Sequence, residues 1–149
     1  MAAQLSRDAR GLEFAGAGQP PAMIVQPGQK PRLLESRNAA LGLLADAVDG
    51  EGAIEVPIQA GDRLVIYTDG FAESFNSQAD VLGVDGFSKI VCETANLSLL
   101  NMEQEIIDRV AVWRGRPADD DMSLSVAKCC GGEEALPCAS PTRRVRRTY

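Results

Sequence analysis

The sequence predicts an α+β fold of antiparallel strands, two helices and a closing strand. Short apolar segments separated by Gly or Pro fill the first sixty positions, a pattern typical of strands joined by turns. Between residues 84 and 115, apolar residues instead recur at helical spacing. At 149 residues with 45% hydrophobic composition, the chain is long enough for one domain with a moderate core and short for two.

The predicted strands of the first half are short and follow one another closely, so antiparallel pairing is expected. Gly28 suits the tight turn after the third strand, and residues 38–52 form a longer connection that contains Gly and Asp. The strands are predicted at residues 1–5, 12–15, 22–25, 32–35 and 53–58.

Two helices are predicted in the second half. Residues 84–95 carry Phe87, Ile90 and Val91 at helical spacing. The next helix has Asn101 as its predicted N-cap and Gly115 as its stop. Its apolar stripe is most simply a core face, formed by Met102, Ile106, Val110 and Trp113.

Carboxylates stand at the ends of two further strand-like runs. The apolar run at 63–67 is followed by Asp69 and Gly70, and the run at 122–126 comes after the three aspartates at 119–121. In the second run, alternation is expected to place Met122, Leu124 and Val126 on one face. Two strand ends would then present hard oxygen ligands to one cation. Mg²⁺ and Mn²⁺ prefer such ligands, whereas Zn²⁺ normally needs His or Cys, and the chain has no His.

The residues alone leave other interpretations of these carboxylates open. Asp69 and Gly70 are also typical of an ordinary turn, and residues 119–121 of a solvated loop. A Ca²⁺-binding loop at 119–121 is weaker, because the spacing of an EF-hand and its terminal Glu are missing.

Four segments resemble motifs of a known enzyme family, the SpoIIE-like bacterial branch of the PP2C (PPM) metal-dependent protein serine/threonine phosphatases. They occur in the family's order and together cover residues 1–128. One departure is Gln19, where the family usually has His. The similar segments are 16–25 (the family's AGHPP hairpin), 41–44 (its LG loop), 61–70 (GDxLxxYTDG) and 120–126 (DDITLLV).

The resemblance implies a fold and a site. We expect residues 1–128 to be the C-terminal part of a PP2C-like α-β-β-α sandwich, incomplete in this chain, and residues 129–149 to be a disordered basic tail. Asp69 and Asp120 match two carboxylates that bind one cation of a binuclear Mn²⁺ or Mg²⁺ centre. Asp120 is chosen because the family's ligand is the first Asp of its DDxT pattern, and Ser123 stands at the Thr position.

The chemistry implied is hydrolysis of a phosphomonoester. Two divalent cations can neutralise the phosphate oxygens and activate a water, so no catalytic residue beyond the metal ligands is expected. A chain without His also offers no Ser-His or Cys-His pair. Glu73 and Asn76 stand in the position of the family's TEARN segment, where they would support the helix start or the edge of the site. The implied substrate is a phosphoserine or phosphothreonine protein, such as an anti-sigma-factor antagonist.

The family's metal-bridging Asp and its acidic-Gly motif lie upstream of the AGHPP hairpin, and only fifteen residues precede Gly16 here. We therefore expect a fragment that holds a cation weakly and is a poor or inactive phosphatase by itself. Exposed sheet edges would favour self-association. The alternative is a non-catalytic PP2C-like interaction module that binds a regulatory protein.

Charge and composition restrict the partners and the location. Residues 131–149 contain four Arg and two Glu, so this tail carries +2 and the rest of the chain −8. An acidic body disfavours nucleic acid as a partner. The sequence has no long apolar run and no signal-peptide pattern, so we expect no membrane insertion and a cytoplasmic location. The four cysteines lack CxxC spacing, which favours free thiols over a zinc site.

Overall fold

The computed structural model describes residues 2–5, 11–36, 53–117, 121–130 and 143–145. The order of the elements in these ranges confirms the predicted α+β fold. The elements are β1 Ala2–Leu5, β2 Gly11–Ala15, β3 Ala22–Val25, β4 Arg32–Leu34, β5 Ile54–Pro57, β6 Arg63–Tyr67, α1 Asp69–Ala72, α2 Gly83–Thr94, α3 Leu99–Arg114, β7 Met122–Lys128 and β8 Arg143–Val145.

The strands form two sheets in which every described pair is antiparallel, as predicted. The smaller sheet has the order β1-β2-β5, and the larger has the order β4-β3-β6-β7-β8. Strand β6 is the centre of the larger sheet. It pairs with β3 through Val65 and Met23, and with β7 through Val65 and Val126.

Two hydrophobic cores cover the two faces of the larger sheet. One core lies between this sheet and the helices, and the other lies between the two sheets. The described elements therefore stack as helices, five-stranded sheet and three-stranded sheet, which are three layers of the expected α-β-β-α sandwich.

The alternation of side chains along β6 and β7 explains why both faces need cover. On β6, Val65 and Tyr67 are buried under the helices, while Leu64 and Ile66 face the smaller sheet and stay partly exposed. On β7, the predicted apolar face is confirmed, because Met122, Leu124 and Val126 are all buried against the helices.

Both predicted helices are present, but the predicted N-cap of the second is wrong. Helix α3 begins at Leu99, and its N-cap is Ser98, whose Oγ accepts a hydrogen bond from the Asn101 N–H at 3.4 Å. Ser98 has extended backbone, which turns its hydroxyl towards the open N–H groups of the first turn. The predicted stop is confirmed, since Gly115 has a φ of 64° and its N–H donates to the Ala111 carbonyl at 2.9 Å.

Several expectations fall on residues outside the described ranges, including the connection at 38–52 and the segment at 41–44. The division of the chain at residue 128 stays a prediction. Within the predicted tail, the structure describes residues 129–130 and β8, and β8 pairs antiparallel with β7 at the edge of the larger sheet. The sequence pattern did not predict this three-residue strand.

The described cysteines, Cys92, Cys129 and Cys130, are free thiols as expected. Cys138 lies outside the described residues. Within the ranges that the structure describes, no helix is long and apolar enough to cross a lipid bilayer.

Three aromatic rings join β6 to the first two helices. The Phe87 ring centroid lies 4.3 Å from that of Tyr67 and 5.3 Å from that of Phe71, both in tilted arrangements. The Tyr67 hydroxyl is buried, and none of the described residues hydrogen-bonds to it. Burial, together with the negative charge of Glu35, raises the pKa of Tyr67 to about 12.

Replacing Tyr67 with Phe should therefore not destabilise the fold. The ring contacts are kept, while a buried hydroxyl without a partner is removed, so we expect the free energy of unfolding to stay equal or to rise by about 1 kcal/mol. Urea denaturation monitored by circular dichroism measures this. A loss of more than about 1 kcal/mol would show that the hydroxyl has a stabilising partner.

The raised pKa of Tyr67 also predicts how stability changes at alkaline pH. The pKa of the phenol has its ordinary value of 10.0 in the unfolded chain and is about 12 in the folded chain. Between these values the folded state binds more protons, so the free energy of unfolding should fall as pH rises, by up to about 3 kcal/mol. The Tyr67→Phe variant should lose this part of the decline, whereas Tyr149→Phe, the chain's other tyrosine, serves as the control. Equal declines in both variants would contradict the assignment.

Candidate metal centre

The candidate centre starts where β6 ends. Thr68 has extended backbone, with φ −89° and ψ 160°, and the single turn of α1 follows directly. Asp69 is the first residue of that turn, and its carbonyl accepts a hydrogen bond from the Glu73 N–H at 2.7 Å. Phe71 and Ala72 are buried in the helix-side core, so the turn is anchored to the sheet. Helix α1 is not among the predicted helices, because four residues are too few to show a helical period.

Thr68 links the end of β6 to the start of β7 through hydrogen bonds. Its N–H donates to the Ser123 carbonyl at 3.0 Å, and its Oγ1 accepts from the Ser123 N–H at 2.9 Å. The same hydroxyl donates to the Asp121 carbonyl at 3.2 Å. One side chain therefore fixes both the strand register and the path of the backbone as it enters β7.

Gly70 allows β7 to approach this closely. A Cβ at this position would lie 3.1 Å from the Asp121 carbonyl oxygen and 3.2 Å from Met122 Cγ. Gly70 does not have a positive φ. Its role is therefore to leave space for the neighbouring backbone rather than to adopt a conformation that only glycine allows.

The structure describes one of the two predicted metal ligands. The Asp69 side chain is exposed, and its Oδ1 accepts a hydrogen bond from the Gly70 N–H at 3.0 Å. Asp120 and Asp119 lie outside the described residues, so their positions relative to Asp69 stay a prediction. Asp121, the residue next to Asp120 in the chain, is exposed, and its carbonyl contacts the turn that carries Asp69.

The donor chemistry at this junction fits a hard cation. The available side-chain atoms are carboxylate oxygens, which suit Mg²⁺ or Mn²⁺. In the portions of the chain that the structure describes, Asp69 makes no salt bridge, so its carboxylate is open to a ligand. No group of three or more His, Cys, Asp or Glu side chains converges on one point in those portions. The described residues thus supply part of a coordination sphere.

Glu73 and Asn76, which the sequence placed near the site, both shape the chain that follows α1. Glu73 is exposed and is the C-cap residue of α1. Asn76 holds the next loop together: its Oδ1 accepts from the N–H groups of Gln78 and Asp80, each at 2.9 Å. Asn76 therefore holds the loop before α2, and Glu73 is the C-cap of α1; their expected role at the edge of the site stays a prediction.

Two cavities lie at the opposite end of β6, near Asp62. One is a groove of about 330 Å³ whose polar lining includes Gln26, Gln29, Lys30, Arg32 and Gln59, and the other is a more apolar space of about 210 Å³. Asp62 is buried and accepts hydrogen bonds from Gln26 Nε2 and from the Gln59 N–H. Its carboxylate is thus occupied in holding the loop before β6.

The Thr68 contacts predict a large effect from a small substitution. Thr68→Val keeps the shape of the side chain, but it removes the hydrogen bonds that the hydroxyl makes with the Ser123 N–H and the Asp121 carbonyl. We expect the free energy of unfolding to fall by about 1–3 kcal/mol, because the Ser123 N–H is partly shielded from water. Thr68→Ser keeps the hydroxyl and is the matched control. Urea denaturation of both variants measures the difference, and equal stability of the two would contradict a bridging role for the hydroxyl.

A family model described as Stage II sporulation protein E (SpoIIE) matches residues 1–129. No match was found among curated protein sequences.

The solved structures with a similar fold include three from different bacteria. The SiaA-PP2C domain of Pseudomonas aeruginosa is 23% identical with a TM-score of 0.72, over 85% of this chain and 49% of that one. The phosphatase domain of SpoIIE from Bacillus subtilis, presoaked in Mn, is 18% identical with a TM-score of 0.65, over 91% and 58%. The RsbU and RsbW domains of a Mycobacterium tuberculosis protein are 20% identical with a TM-score of 0.67, over 89% and 36%.

These structures confirm the expected PP2C-like fold. The chain spans less than two thirds of the length of each of the three, and so covers part of the domain. Because the family model matches most of the sequence, the chain belongs to the SpoIIE family of PP2C-type phosphatase domains.

Proposed function

We propose that the chain is the part of a metal-dependent protein serine/threonine phosphatase that supplies Asp69 and Asp120 to a Mn²⁺ or Mg²⁺ ion. The observation that carries this proposal is the junction between β6 and β7. There, an exposed aspartate is held against the start of the strand that follows three consecutive aspartates. Membership of the SpoIIE family supports the same reaction class.

The residues at the junction contribute position and charge. Thr68 and Gly70 bring the backbone of residue 121 against α1, and the Gly70 N–H orients one oxygen of the Asp69 carboxylate at 3.0 Å. Asp69 and Asp120 would hold the ion through their carboxylate oxygens. When bound, the cations would neutralise phosphate oxygens and lower the pKa of a water nucleophile.

The lack of His in the sequence agrees with a reaction in which the protein would hold the cations and a water would be the nucleophile. Without an imidazole, the chain cannot use the Ser-His or Cys-His pairs that activate a protein nucleophile. Hydrolysis by an activated water needs no covalent intermediate on the protein. The proposed substrate is a phosphoserine or phosphothreonine protein, of the kind represented by an anti-sigma-factor antagonist, and the proposed location is the cytoplasm.

The chain by itself should bind the ion weakly. Two carboxylates leave a Mg²⁺ or Mn²⁺ ion mostly hydrated, because these ions give up water reluctantly and rely on several converging ligands. Since the chain covers 36% to 58% of the similar structures, the remaining ligands of a complete centre are proposed to come from the rest of the domain. The isolated chain should accordingly be a poor or inactive phosphatase.

Calorimetric titration of the purified chain with Mn²⁺ tests this proposal. We expect weak binding that Asp69→Asn and Asp120→Asn each abolish, because the amide removes a negative ligand with little change of shape. Asp85→Asn, at an exposed aspartate in the first turn of α2, is the matched control and should bind as the parent chain does.

Turnover of p-nitrophenyl phosphate on the same samples completes the test, and we expect none above background. Turnover that Asp69→Asn abolishes would contradict the inactivity of the isolated chain while confirming the ligand. Binding that survives both substitutions would contradict the site. If neither the chain nor a complete domain that contains it binds Mn²⁺, the result would favour the non-catalytic interaction module.

A further inference from the structure

A short hairpin beside the candidate metal centre exposes two apolar side chains. The segment from Ser74 to Leu82, called here the 74–82 hairpin, connects α1 to α2 and pairs Phe75 with Val81 in an antiparallel bridge. Directly opposed residues in such a bridge project from the same side. Phe75 is 42% exposed and Val81 is 51% exposed, so the pair forms one apolar surface open to solvent.

The hairpin is rigidly built. The Asn76 N–H donates to the Asp80 carbonyl at 3.0 Å, and the Ala79 N–H donates to the Asn76 carbonyl at 3.1 Å. The Asn76 side chain adds three more bonds, to the N–H groups of Gln78 and Asp80 and to the Asp80 carboxylate. Ala79 has a φ of 64°, the left-handed conformation that closes a three-residue hairpin loop. The apolar pair is thus held in one orientation.

Hydrogen bonds tie this hairpin to the turn that carries Asp69. Ser74 is buried, and its Oγ donates to the Gly70 carbonyl at 2.7 Å. The Leu82 N–H then donates to the Ser74 carbonyl at 2.9 Å. The apolar pair therefore keeps a fixed position relative to the α1 turn that carries Asp69.

The stretch of chain that contains the pair is acidic. Between Arg63 and Lys89 the sequence has no Lys or Arg but four carboxylates: Asp69, Glu73, Asp80 and Asp85. All four are exposed, and none forms a salt bridge within the described part of the chain. A segment that covered the apolar pair would be attracted if it carried Lys or Arg.

We propose that the 74–82 hairpin is a docking element for the phosphoprotein substrate. It would take a segment with an aliphatic side chain and basic residues on either side of the phosphorylated Ser or Thr. The apolar side chain would pack on Phe75 and Val81, while the basic residues would face Glu73, Asp80 and Asp85. This inference rests on the proposed function, because the phosphate is directed to the centre that contains Asp69.

Peptide binding tests the inference without relying on turnover. The probes are fluorescein-labelled peptides in which a phosphoserine lies between two leucines, with two arginines or two glutamates on each side, together with the unphosphorylated arginine peptide. Fluorescence anisotropy with the full chain, with and without Mn²⁺, gives the dissociation constants. We expect the arginine peptide to bind at least about tenfold more tightly than the glutamate peptide.

Two sets of variants locate the contact. Phe75→Ser with Val81→Thr should weaken binding of the arginine phosphopeptide by about tenfold, because the exposed apolar surface is lost. The matched control is Leu100→Ser with Val112→Thr, which removes two apolar residues of α3 that are 65% and 81% exposed. Glu73→Gln with Asp85→Asn leaves the hairpin intact and should reduce the preference for arginine over glutamate flanks.

The outcomes separate this inference from the proposed function. Loss of affinity in the hairpin and charge variants, with the control unchanged, supports docking on the hairpin. Unchanged affinity in both sets, equal loss in the control, or no binding of arginine peptides would overturn it. A preference for the phosphorylated peptide that depends on Mn²⁺ but not on the hairpin would leave the proposed function standing alone. Binding that depends on the hairpin but ignores phosphate and Mn²⁺ would support docking and contradict the proposed function.

Discussion

The bridge that the Thr68 hydroxyl makes between β6 and β7 is the contact on which the candidate centre depends. It accepts a hydrogen bond from Ser123 and donates one to the Asp121 carbonyl, so two strand ends share one side chain. Gly70 leaves room for this approach. As a result, the turn that carries the exposed Asp69 lies beside the backbone of Asp121.

The packing around β6 makes that junction rigid. Phe87 of α2 packs in tilted arrangements against both Tyr67 of β6 and Phe71 of α1, and all three rings are fully or almost fully buried. A buried aromatic cluster limits the movement of the turn that carries Asp69, because any displacement would open a cavity. The hydrogen bond from the Ser74 hydroxyl to the Gly70 carbonyl holds the 74–82 hairpin to the same turn. Core, candidate centre and proposed docking surface are thus consecutive parts of one continuous segment.

The features that follow a recognisable residue pattern could be predicted from the sequence, whereas those that depend on a single contact could not. Alternation predicted the buried face of β7, and Gly115 predicted the end of α3. The N-cap was misassigned because Ser98 and Asn101 both suit that role, and only the backbone conformation distinguishes them. Helix α1 and the Thr68 bridge involve too few residues to produce a periodic signal. The pairing of Asp69 with Asp120 stays a prediction that depends on the family motif.

Paramagnetic broadening of amide signals by Mn²⁺ tests the central claim most directly. In a ¹⁵N-labelled sample of the chain, substoichiometric Mn²⁺ should first remove the signals of Gly70, Phe71 and Asp121. Amides near Asp62 should persist, because the length of β6 separates them from the junction by about 20 Å. Loss of signals around Asp62 or Asp80 while those of Gly70 and Asp121 remain would contradict a metal centre at the junction of β6 and β7.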